Sequence, residues 1–201
     1  MTTSGRRSRR TAAIAGHEGD VEGARRLLDH GDAATRATAV AALDRMGRLD
    51  TEVLLAALAD RSPAVRRRAA ILAAARTDVS LLPLLHDSDH GVAEAAAYAS
   101  GERHPAEPGS VHLLGAMAIG HADALCREAA VAALGAIGDP AGLPAVLAAT
   151  GDRATVRRRA VIALAPFEGS EVDAALARAA DDRDWQVRQA AEDQKPDTGA
   201  T

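Results

Sequence analysis

The sequence is poor in aromatic residues, lysine and cysteine, and each shortage argues against a class of protein. Only Tyr98, Phe167 and Trp185 are aromatic, whereas sandwiches and barrels need strands rich in aromatic and β-branched residues. Lys195 is the single lysine among 24 basic residues, which disfavours a catalytic or Schiff-base lysine. The single cysteine, Cys126, precludes an internal disulfide and is typical of a reducing compartment. We therefore expect a cytoplasmic protein.

Long apolar runs, a basic charge and recognisable catalytic motifs are also missing. No apolar run reaches the roughly 18 residues that a membrane span needs, so no membrane contact is expected. The net charge of −4 disfavours a general nucleic-acid coat. The sequence contains no recognisable nucleophile–base triad, glycine-rich phosphate loop or cysteine cluster. It therefore predicts a non-enzymatic protein without a cofactor.

Alanine and arginine are present in excess. The 201 residues include 50 alanines and 23 arginines. Alanine has the highest helix propensity and allows close backbone packing. The composition therefore predicts an all-α fold.

A segment of one type recurs along the chain: a small or acidic residue, two variable positions, an apolar residue, arginine and an alanine-rich run. Its copies are Asp32–Arg36, Ser62–Arg66, Asp89–Ala93, Asp123–Arg127, Arg153–Arg157 and Asp184–Arg188. The fifth positions follow each other at steps of 30, 27, 34, 30 and 31 residues. Arg9 fits the same register 27 residues before Arg36. Such a period is the signature of a repeat architecture, here with an N-terminal capping helix.

Each repeat is expected to form two helices. Counted from the arginine, apolar or small residues fall at −1, +3 and +7, which share one helical face, and the residue at −4 can cap the helix. Preceding leucine-rich stretches, including Leu81, Leu84 and Leu85, predict the first helix of each pair. No pair can bury its apolar face alone, so the pairs should stack. We predict a right-handed α-solenoid of about six helix pairs over residues 1–194 and a flexible tail over 195–201.

Two stretches resemble bacterial HEAT repeats of the phycobilisome-lyase type. Leu134–Leu147 is similar to the linker and first helix of that repeat, and Asp184–Ala191 to its second helix. The resemblance implies binding on a concave face lined by second helices, and a ladder in which the capping aspartate and the arginine of successive repeats pair. The residues given this structural role are Asp32, Arg36, Arg66, Asp123, Arg127, Arg157, Asp184 and Arg188.

The third repeat departs from the pattern. Ala93 replaces the arginine, and the linker 101–109 is long and contains two prolines. We interpret the linker as a seam between residues 1–100 and 110–201, which could flex or add a binding loop. A surface insertion without function is the alternative, because loops tolerate added length at small entropic cost.

Two arginine clusters project beyond the ladder and form the candidate partner-binding site. They are Arg67 with Arg68 and Arg158 with Arg159, and Arg10 extends the row. Forked guanidinium groups suit carboxylates, so the partner is expected to be an acidic stretch of a protein or peptide. Solvated surface charge is the alternative. Trp185 is a further partner-binding candidate, with coverage of the open end of the array as its alternative role.

Other candidates carry less weight. His86 and His90 flank two aspartates at close spacing, but the string lies on a turn, so no metal site is predicted. Cys126 is expected to be buried, and Tyr98 and Phe167 to fill space.

The function predicted is an interaction scaffold that binds a protein or peptide on its concave face. The alternatives are a nucleic-acid-binding protein similar to HEAT-like DNA glycosylases, disfavoured by few aromatics, or a lyase or chaperone that assists modification of a partner.

Overall fold

The computed structural model describes residues 3–194, with side chains from residue 7 onward. This range contains twelve α-helices, three short 3₁₀ turns and no strand. The predicted all-α fold is therefore confirmed. The predicted flexible tail, 195–201, lies outside the described residues.

The chain divides into two compact units, residues 1–99 and 100–201. We call them the N-terminal and the C-terminal unit. The N-terminal unit holds α1 Thr3–Glu18, α2 Val21–Arg26, α3 Ala33–Arg45, α4 Thr51–Leu58, α5 Pro63–Leu72 and most of α6, His90–Gly101. The C-terminal unit holds α7 Ser110–Gly120, α8 Ala124–Ile137, α9 Leu143–Ala149, α10 Ala154–Ala163, α11 Ser170–Ala180 and α12 Trp185–Glu192.

The helices stack in chain order within each unit. The second helices of the pairs are α3, α5, α6, α8, α10 and α12, and they carry the recurring segment. In the N-terminal unit α1 packs on α3 and α3 packs on α5. In the C-terminal unit α8 packs on α10 and α10 on α12, while the first helices α7, α9 and α11 form a parallel row. This arrangement is that of an α-solenoid.

One predicted first helix is replaced by a single 3₁₀ turn. The sequence predicts a helix around Leu81, Leu84 and Leu85, but the structure has a 3₁₀ turn at Leu82–His86. The three leucines are nonetheless buried. This repeat is short, since only 27 residues separate its arginine position from the preceding one. A tighter turn buries the same leucines with fewer residues.

The second helices approach each other closely at glycine. A Cβ atom added to Gly135 on α8 would lie 2.7 Å from the Cα atom of Ala163 on α10. A Cβ atom on Gly16 of α1 would lie 2.8 Å from the Cβ atom of Ala42 on α3. Such contacts are shorter than carbon atoms tolerate. The alanine and glycine content therefore allows adjacent helix backbones to pack without large side chains between them.

Aspartate side chains start many of these helices. Their carboxylates accept a backbone N–H group from the first turn, which satisfies a donor that has no partner inside the helix. The capping residues are Asp20 of α2, Asp32 of α3, Asp50 of α4, Asp123 of α8 and Asp184 of α12.

The linker after α6 contains an ion pair between two of its own residues. The side chain of Arg103 is 1% exposed and lies 2.9 Å from the carboxylate of Glu107. Partial pairing offsets the cost of burying a guanidinium group. Part of the linker is therefore buried, while several of its residues are exposed.

Candidate functional site

Four arginines of the second helices form a ladder with aspartates of the next repeat. Each guanidinium group donates through Nε and Nη2 to both oxygens of one carboxylate, at 2.6–2.9 Å. The pairs are Arg36–Asp60 and Arg66–Asp87 in the N-terminal unit, and Arg127–Asp152 and Arg157–Asp182 in the C-terminal unit. Bidentate geometry of this kind gives the strongest hydrogen bonds between side chains.

The remaining nitrogen of each ladder arginine ties the rung to the turn before its own helix. The Nη1 atom of Arg66 donates to the backbone carbonyl of Asp60 at 2.9 Å, and that of Arg157 to the carbonyl of Asp152 at 2.8 Å. Each of these aspartates also accepts a rung from the preceding repeat. Its carboxylate therefore accepts hydrogen bonds from one arginine and its carbonyl from the next, which joins successive rungs within each unit.

The ladder uses other carboxylates than the sequence led us to expect. The sequence predicts Asp32, Asp123 and Asp184 as the rung aspartates, but the structure places their carboxylates on backbone N–H groups of their own helices. The rung carboxylates come from aspartates that stand one or two residues before the capping position of the second helix. A cap must face its own helix end, whereas these aspartates face the neighbouring repeat. Arg188, in the last repeat, donates to the carbonyl of Asp182.

The ladder lowers the pKa of its carboxyl groups. Hydrogen bonds from the arginine side chains are the largest cause for Asp60, Asp87, Asp152 and Asp182, and burial opposes them. Because the folded state holds these groups ionised, they contribute stability above their unfolded pKa of about 3.9, and this stability is lost as the pH falls through the lower folded values.

We therefore expect the free energy of unfolding to be nearly constant from about pH 7 to pH 5 and to fall below about pH 4. Urea unfolding followed by circular dichroism at a series of pH values measures this dependence. The variant Asp182→Asn should show a shallower fall, since one of the four groups is removed. Equal stability at pH 3 and pH 7 would contradict the assignment.

The arginines beyond the ladder fall into two kinds. Arg67, Arg68 and Arg158 are exposed, and no ion pair is found for them among the described residues. Arg159 differs, because it is half-buried and its Nη2 atom lies 3.4 Å from the carboxylate of Glu128 on α8. Three members of the predicted partner-binding set thus have guanidinium groups available to a partner, and the fourth is engaged within the unit.

Trp185 begins α12 and is 64% exposed, and Tyr98 on α6 is 56% exposed. The prediction that Tyr98 fills space is therefore wrong, while Phe167 is buried at 8% exposure. An indole ring that has an apolar body and a polar nitrogen is a common anchor at protein interfaces. Trp185 remains a candidate anchor.

Cys126 is buried in the fold, and both aspartates between His86 and His90 are engaged in structural hydrogen bonds. The Cys126 thiol is buried in α8. Asp87, between His86 and His90, is held by Arg66, and Asp89 caps α6. Among residues 3–194 no group of three or more histidine, cysteine or acidic side chains is placed to hold a metal ion. None of the helices in that range is long and apolar enough to cross a membrane.

A groove of about 690 Å³ opens in the N-terminal unit beside α2 and α4. Its apolar residues include Val40, Val53 and Val65. Its charged lining includes the pairs Arg25–Asp50 and Arg36–Asp60. Because the full lining has three arginines against four acidic residues, the groove lacks a dominant charge that would select a ligand.

Comparison with known proteins agrees with this geometry. The sequence matches the family described as HEAT repeats over residues 77–165 and 111–194. No curated protein matches it. The crystal structure of YIBA_ECOLI, from Escherichia coli, is similar with a TM-score of 0.65 and 18% identity, covering 88% of this chain and 71% of that one. A designed armadillo repeat protein has a TM-score of 0.47 and 16% identity, covering 96% of this chain and 90% of that one.

The structural likeness to YIBA_ECOLI concerns the fold alone at this level of identity. The sequence match, in contrast, extends over more than half of the chain and includes second helices that bear the arginine–aspartate ladder. The repeat period, the stacked helix pairs and the family match point to the same architecture. This chain belongs to the HEAT-repeat family.

Proposed function

We propose that this chain is an interaction scaffold that binds an acidic protein or peptide through its second helices. Repeats of the HEAT and armadillo type commonly mediate protein interactions, because stacked helices leave an extended surface without requiring a catalytic pocket. The observation that carries the proposal is the contrast between two sets of arginines on the same helices. The ladder arginines are satisfied internally, whereas Arg67, Arg68 and Arg158 are exposed without an ion pair among the described residues.

The proposed binding surface is defined by positions counted from the ladder arginine of each second helix. We call the positions one, two and five residues after the ladder position the second-helix face. Residues at +3, +4 and +7 are buried, as Ala69 and Ala70 of α5 and Ala73 directly after it illustrate. At 100° per residue the second-helix face therefore lies opposite the core. Arginines on this face can bind carboxylates in a bidentate manner, and aromatic Trp185 at the start of α12 can add an apolar contact.

Charge reversal tests the proposal. We expect the variant with Arg67→Glu, Arg68→Glu and Arg158→Glu to lose most partner binding, at least about tenfold, because each reversal replaces attraction by repulsion. Arg159 is left unchanged, since reversing it would place two acidic groups together at Glu128. The measurement is quantitative mass spectrometry of proteins captured by the immobilised chain.

The matched control carries the same change in charge elsewhere. Arg26→Glu, Arg48→Glu and Arg178→Glu alter exposed arginines outside the second-helix face. Partners retained by this control and lost by the first variant support the proposal. A captured set that is the same for the wild type and both variants would refute it. Capture of nucleic acid alone, abolished by salt, would favour a phosphate-binding function instead.

A further inference from the structure

Among residues 7–99, whose side chains the structure describes, three of the four exposed large apolar side chains occupy the same position within their repeats. Ile14 is 40% exposed, Ile71 is 37% exposed and Tyr98 is 56% exposed. They lie five residues after Arg9, Arg66 and Ala93, so each points away from the core on the second-helix face. The fourth, Leu55, lies on α4, a first helix. Scattered surface apolar residues are ordinary, but a row at one position marks an interaction surface.

An exposed arginine accompanies each isoleucine of this row. Arg10 precedes Ile14 by four residues, and Arg67 precedes Ile71 by four. Residues at this spacing are neighbours on a helix surface. The sequence Arg-Arg-x-Ala-Ala-Ile occurs both at 9–14 on α1 and at 66–71 on α5. Both helices thus present the same combination of a cation and an apolar side chain.

Helix α3, which lies between α1 and α5, has only small residues at the equivalent positions. They are Ala37, Thr38 and Ala41. Because α1 packs on α3 and α3 on α5, the axes of α1 and α5 are about 16–20 Å apart, at 8–10 Å for each packed pair. The isoleucines of α1 and α5 therefore flank a shallow trough over α3. A helix of about 10–12 Å diameter fits between the two ridges.

The trough favours a helical occupant over an extended one. The floor offers methyl groups, and the Thr38 hydroxyl already donates to the carbonyl of Ala34 at 2.7 Å. An extended peptide would leave its own N–H and C=O groups facing this floor without partners, which is costly. A helix satisfies its backbone internally and can present an apolar stripe to the trough.

We propose that the trough over α3, between Ile14 and Ile71, binds an amphipathic α-helix with acidic residues on both sides of its apolar stripe. The inference rests on the proposed scaffold function and specifies the partner. The guanidinium groups of Arg10 and Arg68 lie on the two sides of the trough and meet the acidic residues, whereas Arg67 lies against Gly91 on α6. The isoleucines contact the apolar stripe.

The probe is a synthetic peptide of 18 residues with leucine at helical spacing i, i+3, i+4, i+7 and glutamate on both flanks. Fluorescence anisotropy measures its binding to the full chain. We expect saturable binding that Ile71→Asp or Ile14→Asp each weakens about tenfold or more, because a carboxylate placed against the apolar stripe of the peptide would be buried without a partner. Leu55→Asp, at a comparably exposed position on a first helix, should leave the dissociation constant unchanged. Thermal unfolding establishes that the variants remain folded.

Three further peptides and one further measurement decide the identity of the occupant. A scrambled peptide, a peptide with lysine in place of glutamate and a peptide with two central prolines should all bind at least about tenfold more weakly. Equal binding of the proline peptide would overturn the helix in favour of an extended segment. Self-association of the chain that Ile71→Asp abolishes would overturn it in favour of a second copy. Absence of peptide binding, while charge reversal still abolishes partner capture, would refute the trough and leave the scaffold function standing.

Discussion

Replacing Arg157 with alanine is expected to lower the free energy of unfolding by about 3 kcal/mol. The Arg157 side chain is 8% exposed, and its guanidinium group donates to the carboxylate of Asp182 at 2.7 Å and through Nη1 to the carbonyl of Asp152. Truncation leaves a half-buried charge and a backbone acceptor without their donor, and such losses are among the most destabilising substitutions. Urea unfolding monitored by circular dichroism measures the change as a lower midpoint.

The pair Arg25–Asp50 provides the matched control. It joins the same residue types across 25 residues at 2.6 Å, but its side chains are 39% and 45% exposed. Solvent screens a pair of this kind, so Arg25→Ala should change the midpoint far less than Arg157→Ala. Equal effects of the two substitutions would mean that the ladder acts as surface charge and not as a structural network.

The second large effect is expected at Gly135, where α8 and α10 approach closely. The Cβ atom of an alanine would lie 2.7 Å from both the Cα and the Cβ atoms of Ala163, and 3.0 Å from its carbonyl oxygen. These atoms belong to a helix and cannot move as the end of a flexible side chain does. We expect Gly135→Ala to destabilise the chain by about 2 kcal/mol, against the helix-propensity gain that alanine normally brings.

Gly115 on α7 separates the steric cost of an added Cβ atom from the gain in helix propensity. A Cβ atom there would lie 3.6 Å from the Cβ atom of Ala145, which is an ordinary contact. Gly115→Ala should therefore stabilise the chain by about 0.5–1 kcal/mol, because alanine loses less backbone entropy in a helix. The two variants are compared in the same urea titration. Stabilisation by both substitutions would contradict the close approach of α8 and α10.

The ladder shows how far the sequence could predict the structure. The arginine register was readable because it recurs with a period near thirty residues. The rung carboxylates are not evident from the sequence, since in two of the four turns a second aspartate, Asp89 or Asp184, caps the helix and competes for the same role. The signal that separates them is spacing: Asp60, Asp87 and Asp182 each stand six residues before the arginine position of their repeat. Only the contacts between repeats show which aspartate of such a turn faces the neighbouring repeat.

The candidate surface was predictable in part. The exposed arginines were visible as clusters, but the engagement of Arg159 by Glu128 depends on a residue 31 positions earlier in the chain. The row formed by Ile14, Ile71 and Tyr98 could not be predicted from the sequence. An isoleucine or tyrosine in an alanine-rich helix cannot be distinguished from a core residue unless its burial is known. The 3₁₀ turn at Leu82–His86 was missed because the leucine pattern is the same in a short turn and a helix.

The two-sided role of the rung aspartates bears on how such a chain can evolve. Asp60 and Asp152 accept one arginine at the carboxylate and the next at the carbonyl, so every rung is specified by two adjacent copies of the unit and by nothing farther away. A gene duplication that inserts one whole copy would create a complete rung on each side of the insertion. The number of copies can therefore grow or shrink while the rest of the coding sequence stays unaltered.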